Sequence, residues 1–124
     1  MIGIDLVKIA RIEQMLERFG EKALAKFLHP QEIALVKNPK TAAGFWATKE
    51  AVSKALGTGI GSQFSFHDIM IYKEASGAPK LSLSKKIVQN FSIEEAALSI
   101  THDGEYAISV VTLKSSTTDK VKQF

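Results

Sequence analysis

No cysteine occurs in the 124 residues, which excludes a disulfide framework, thiolate catalysis and any cysteine metal site. The three histidines, His29, His67 and His102, are scattered along the chain and show no zinc-ligand spacing. No apolar stretch approaches the roughly 20 residues that a membrane span needs. The chain opens Met1-Ile2-Gly3-Ile4-Asp5, so it has no basic segment followed by an apolar run of the signal-peptide kind. A cytoplasmic protein with no membrane partner is the expectation. Nor does one charge dominate. The formal net charge is +3 and the pI about 9.2. That modest excess suits a phosphate-bearing ligand or an acidic protein partner. Its scatter gives no nucleic-acid footprint. The length fits one domain. A chain this small that handles a large substrate is expected to build its site between subunits.

What is present divides by periodicity. Ile2, Ile4 and Leu6 alternate with Gly3, Asp5 and Val7, a strand pattern that turns Asp5 to the opposite face from the isoleucines. Ile9, Ile12, Leu16 and Phe19 recur at helical spacing, and Gly20 ends that helix. Short helical turns are expected over 21–28 and 30–36. Asn38-Pro39 is a helix start, a capping side chain followed by proline, and nothing interrupts the helix before Leu56. Its alanines allow close approach of another backbone. At about 1.5 Å per residue it would be roughly 25 Å long. Gly57 to Gly61 forms a glycine-rich loop. A strand over 67–74, the turn Ser76-Gly77-Ala78-Pro79 and a strand over 80–83 read as a hairpin. A helix over 84–91 points Ile87, Val88 and Phe91 inward. Strands over 97–102 and 106–113 are joined at Asp103-Gly104. The class is α+β: a single small domain, 1–114, with an antiparallel sheet packed on one long central helix and shorter helices, then a polar tail, 115–124.

On the long helix, Phe45, Val52 and Leu56 share one face with Lys49, while Trp46, Glu50, Ser53 and Gly57 form a second stripe with Lys54 beside it. Glu50 and Lys54 are four apart, which alone makes an ordinary surface ion pair. Lys49 either snorkels or is buried against a partner. Asp5, within an apolar strand, must be paired, hydrogen-bonded, metal-bound or water-exposed at a strand end. Asp and Glu from separate elements are typical Mg²⁺ donors, but spacing alone does not join residues 5 and 50. The loop Gly57-Thr58-Gly59-Ile60-Gly61 is either a helix C-cap or a source of backbone N–H groups for phosphates. It follows a helix, so it is not a P-loop. His102 and Thr101 end a strand and could meet a phosphate. His29 and His67 read as structural.

Four stretches occur in order over residues 1 to about 113. They are Gly3-Ile4-Asp5-Leu6 with Ile9 and Arg11; Phe45-Trp46-Ala47-Thr48-Lys49-Glu50-Ala51-Val52-Ser53-Lys54 running into Gly61; Ser65-Phe66-His67-Asp68-Ile69 followed by Gly77-Ala78-Pro79; and Ser99 through Ala107. Together they resemble the acyl-carrier-protein synthase type of phosphopantetheinyl transferase. The resemblance implies transfer of 4'-phosphopantetheine from coenzyme A to a serine of acyl carrier protein, for fatty acid biosynthesis. It also implies Mg²⁺ on Asp5 and Glu50, with Glu50 and Lys54 catalytic and Lys54 near the pyrophosphate. Ser53, Lys54, Gly57, Gly59, Thr101 and His102 would contact coenzyme A, the last two from a neighbouring subunit of a homotrimer. Arg11 and Arg18 would face the acidic carrier protein. One position departs from the family pattern: Phe45 stands where arginine is usual, so Lys37 or Lys40 is expected to replace its contact with coenzyme A.

Overall fold

A computed structural model of the chain describes residues 1–117 and 121–124. The elements are β1 (Ile2–Lys8), α1 (Ile9–Phe19), α2 (Lys22–Ala25), α3 (Pro30–Ile33), α4 (Pro39–Leu56), β2 (Ile69–Lys73), β3 (Pro79–Leu83), α5 (Lys85–Phe91), β4 (Ile93–Asp103) and β5 (Tyr106–Ser115). One antiparallel sheet has the order β1-β5-β4, and β2-β3 is a separate hairpin. The α+β class with one long helix is as expected. The local differences are small. His67 lies in a 3-10 turn (Phe66–Asp68) that precedes β2. Val88 is exposed, while Ile87 is buried. The tight turn falls on Gly104 and Glu105, because Asp103 still pairs with Tyr106. Gly104 takes its left-handed φ of 57°.

α4 begins as anticipated: Asn38 Oδ1 accepts the Thr41 N–H at 3.1 Å, and Pro39 follows. The helix lies across the inner face of the three-stranded sheet, and small residues let it come close. A Cβ built on Gly3 would land on the Ala51 carbonyl oxygen, and one on Gly44 would crowd Ile100 and His102. Ala42, Ala43, Ala47 and Ala51 are all fully buried. Thr48 hydrogen-bonds Ser109 of β5 at 2.8 Å, pinning the helix in register. Gly3 therefore fixes how near Asp5, two residues along the same strand face, comes to α4.

The other face of this sheet is open. Ile2, Ile4 and Leu6 are 68%, 60% and 56% exposed, and Ile108 and Val110 lie beside them in register. The first two residues of the expected tail are fastened to α5, while Val121 and Phe124 are exposed. Ser115 Oγ donates to the Phe91 carbonyl at 2.6 Å, and the Ser116 N–H bonds Ser92. The part of that tail at 118–120 lies outside the described residues.

Candidate active site

α4 presents two lysines to two different surroundings. Lys49 is fully buried. Its ammonium lies 2.7 Å from Glu32 Oε1 and donates to the carbonyls of Phe27, Phe66 and Ile69 at 2.6, 3.0 and 3.1 Å. Glu32 in turn accepts the N–H of His29 at 2.7 Å and of Ile71 at 2.9 Å. Burial lowers the proton affinity of Lys49, and the hydrogen bond and charge of Glu32 oppose that shift. Of the two readings of Lys49, the buried one holds, with the partner inside the chain.

Lys54 does not pair with Glu50, as four-residue spacing alone would suggest. Its ammonium crosses to β1, donating to Asp5 Oδ1 at 3.0 Å and to the Ile4 carbonyl at 3.1 Å. Asp5 projects from the inner face, opposite Ser109, and reaches Lys54 because Gly3 lets the strand lie against the helix. Glu50 stands one turn before Lys54. Burial raises the Glu50 carboxyl above the ordinary glutamate range and the charge of Asp5 adds to this, while Lys54 and Arg11 pull it down. Groups from β1, α1 and α4, namely Asp5, Arg11 and Lys54, therefore act on Glu50. The structure joins residues 5 and 50, which spacing could not.

The remaining candidates are more dispersed. Ser53 is buried, and its hydroxyl donates to the Glu50 carbonyl at 2.6 Å. The glycine loop corrects the idea of a phosphate-binding nest. The N–H groups of Thr58 and Gly59 both donate to the Ser53 carbonyl, that of Gly57 to Lys54, and that of Gly61 to Phe64. A helix end leaves carbonyls without donors, and this loop satisfies them with the amides that a phosphate would need. What Gly57 and Gly59 leave is open space where side chains would stand. Thr101 and His102 face opposite sides of β4, Thr101 level with Ile108 and His102 with Ala107. His102 Nε2 donates to the Lys40 carbonyl at 2.9 Å and lies against Gly44. Six residues of helix, about 9 Å, separate Gly44 from Glu50, so within one chain His102 stands apart from the carboxylates. Arg11 lies over the Trp46 ring, 5.8 Å from its centroid, and Arg18 over Phe19 at 5.2 Å. His29 and His67 are structural, each donating from Nε2 to a carbonyl, of His67 and Ala25 respectively.

Phe45 is buried in the core, and its position also lines a cleft of about 180 Å³ with Thr41, Gly44, Lys73, Pro79 and His102. Neither Lys37 nor Lys40 lines this cleft; Lys73 does. The sequence reading missed Lys73, although a signal existed. It continues the every-second-residue stripe of Ile69 and Ile71 to the exposed end of β2.

Residues 1–111 match the 4'-phosphopantetheinyl transferase superfamily. The chain belongs to that superfamily. It is 60% identical over 121 residues to the holo-[acyl-carrier-protein] synthase of Sulfurimonas denitrificans, covering 98% of this chain and 100% of the relative. It is 58% identical to that of Aliarcobacter butzleri, over 90% of this chain and 94% of the relative. Among solved structures it is similar to Helicobacter pylori holo-[acyl-carrier-protein] synthase in complex with coenzyme A. There the TM-score is 0.89 and the identity 49%, over 92% of this chain and 100% of that one. The phosphopantetheinyl transferase fold is thus the expected one, and Asp5, Glu50 and Lys54 lie within the matched segment. No helix among the described residues is long and apolar enough to cross a membrane.

Proposed function

We propose that this chain transfers the 4'-phosphopantetheine group of coenzyme A to a serine of apo acyl carrier protein, the reaction for which its relatives are named. The serine oxygen forms a bond to the phosphorus next to pantetheine. The pyrophosphate P–O bond breaks, and adenosine 3',5'-bisphosphate leaves. The observation that carries this reading is the Lys54–Asp5 contact, which brings β1 against α4 one turn beyond Glu50.

Two carboxylates of separate elements, held near each other at the cost of mutual repulsion, fit a hard divalent cation that keeps waters and takes phosphate oxygens as further ligands. An ammonium already sits against one of them. Asp5 and Glu50 would hold Mg²⁺, which supplies positive charge for the negative charge that builds on the phosphoryl and leaving oxygens. Lys54, half-exposed and tethered among the described residues only to Asp5 and Ile4, is free to swing to the pyrophosphate and add a second positive charge. Glu50, whose proton affinity burial raises, is the chain's own candidate to receive the serine proton. Ser53 shapes the cleft through its carbonyl, which anchors the glycine loop. Lys73 supplies the cation that Phe45 does not, in the cleft it shares with His102.

The open apolar face of Ile2, Ile4 and Leu6 supports assembly of several copies, because an exposed apolar stripe of this size marks an interface. A homotrimer with sites between subunits accounts for Thr101, which lies on that face. Arg11 and Arg18 form the carrier-facing side. The test is to incubate apo acyl carrier protein with coenzyme A, Mg²⁺ and this chain, then weigh the carrier. A gain of one phosphopantetheine, abolished by chelation, is expected. An unchanged mass under every condition would refute the reading.

A further inference from the structure

Two residues of the central motif, Trp46 and Lys49, touch neither the carboxylates nor the cleft, and the reaction as described gives them no task. Their surroundings give them one. Trp46 lies on the stripe of α4 that carries Glu50, one turn earlier. Phe27 meets its ring edge-on, with centroids 5.1 Å apart at 75°, and Phe66 packs at 4.9 Å. The backbone carbonyls of Phe27 and Phe66 are two of the acceptors on the buried Lys49 ammonium. Lys49 thus fixes the two segments whose rings clamp Trp46. Trp46 is partly buried, and its ring carries the Arg11 guanidinium at 5.8 Å. Arg11 makes no ion pair with a carboxylate among the described residues.

We propose that Trp46 is a positioning residue for the carrier protein: its clamped ring, one turn of α4 from Glu50, holds the Arg11 guanidinium aimed outward for an acidic group of the incoming carrier. This rests on the reading that Arg11 faces the carrier. The physical advantage is preorganisation. A free arginine samples many rotamers and loses that freedom on binding, whereas one stacked on an indole has lost part of it already. Tryptophan is the best aromatic platform for a cation, and the guanidinium plane stacks while its N–H fork stays available. Docking would then deliver the carrier serine to the carboxylate cluster in a fixed direction, since the ring that carries Arg11 lies one turn of α4 from Glu50.

The test compares the KM for acyl carrier protein and the KM for coenzyme A in the wild type, Trp46→Leu, Trp46→Phe, Arg11→Ala and the double variant Arg11→Ala/Trp46→Leu. Trp46→Leu should raise the carrier KM about three- to tenfold, the worth of a partly buried cation–π contact. The coenzyme A KM should change less than about twofold. Trp46→Phe should fall between. The double variant should be no worse than Arg11→Ala alone, because the two residues act through one contact. Additive losses in the double variant would overturn the platform while leaving Arg11 as a carrier contact. An unchanged carrier KM in Arg11→Ala would overturn both. A second readout needs no activity and no Trp46 variant. Trp46 is the sole tryptophan, so its emission reports the stack directly. Arg11→Ala should shift that emission in the free protein and remove the response to apo carrier. Identical spectra and responses in the wild type and Arg11→Ala would overturn the proposal even if Trp46→Leu failed to fold.

Discussion

Lys49 and Lys54 sit five residues apart on one helix, each within 3.0 Å of a carboxylate, yet they are different kinds of residue. Lys49 and Glu32 are both fully inaccessible, whereas the Lys54 side chain is 54% exposed and Asp5 15%. The buried ammonium has four oxygens within 3.1 Å, and the carboxylate opposite it also holds two backbone N–H groups. That set is closed: each partner would be left charged and unsolvated without the other, so it ties α3, α4 and β2 together. The Lys54–Asp5 contact is open to water on one side, so separating its partners costs little. The role proposed for Lys54, movement toward a phosphate, requires a lysine of the second kind. An ion pair's distance therefore says less about its role than what surrounds it.

The sharpest way to break this contrast is to remove each ammonium in turn. Lys49→Met strands Glu32 in the core and should cost about 3–5 kcal/mol in denaturant unfolding. Adding Glu32→Leu should recover only part, since the His29 and Ile71 amides then lose their acceptor. Gly3→Ala pushes a methyl into the Ala51 carbonyl and should cost about 3 kcal/mol, at the upper end for overpacking, because backbone rather than side chain must give way. It should also lower transfer, since it moves Asp5 away from α4. Lys54→Met should change stability by less than about 1 kcal/mol, while transfer falls roughly tenfold or more. If Lys54→Met unfolds the chain as Lys49→Met does, the contrast fails.

The smallest effect has an informative sign. Glu50 binds its proton more tightly folded than unfolded, so its stabilising contribution is present below the ordinary glutamate range and is lost as pH rises through the raised value. At pH 7 and without metal, Glu50→Gln should therefore be more stable than the wild type, by less than about 1 kcal/mol because the group is partly exposed. The gap in Tm should close below about pH 4. Added Mg²⁺ should raise the wild-type Tm and leave that of Glu50→Gln nearly unmoved.

The long helix, its Asn38-Pro39 start and the alternation in β1 were all legible, because each is a local pattern. So was the division of faces on α4. What could not be read was contact between distant segments. Whether Lys49 snorkels or is buried depends on Glu32, seventeen residues away. Lys54 could be matched only to its helical neighbour Glu50 until the fold brought Asp5 against it. Composition could not choose between a helix C-cap and an amide nest for the glycine loop, because it shows which residues can donate, not which carbonyls already hold them. The family resemblance named Asp5 and Glu50 together before any geometry did. Gly3, the residue that makes their approach possible, drew no attention as a lone glycine in a strand.

The carboxylate pair is the centre of the account. The direct measurement is the initial rate of carrier modification against Mg²⁺ concentration, for the wild type, Asp5→Asn and Glu50→Gln, each first shown to be folded. The account predicts a rate that saturates with Mg²⁺ in the wild type and falls at least about 100-fold in both variants at saturation. A wild-type rate in either variant at saturating Mg²⁺ would contradict it.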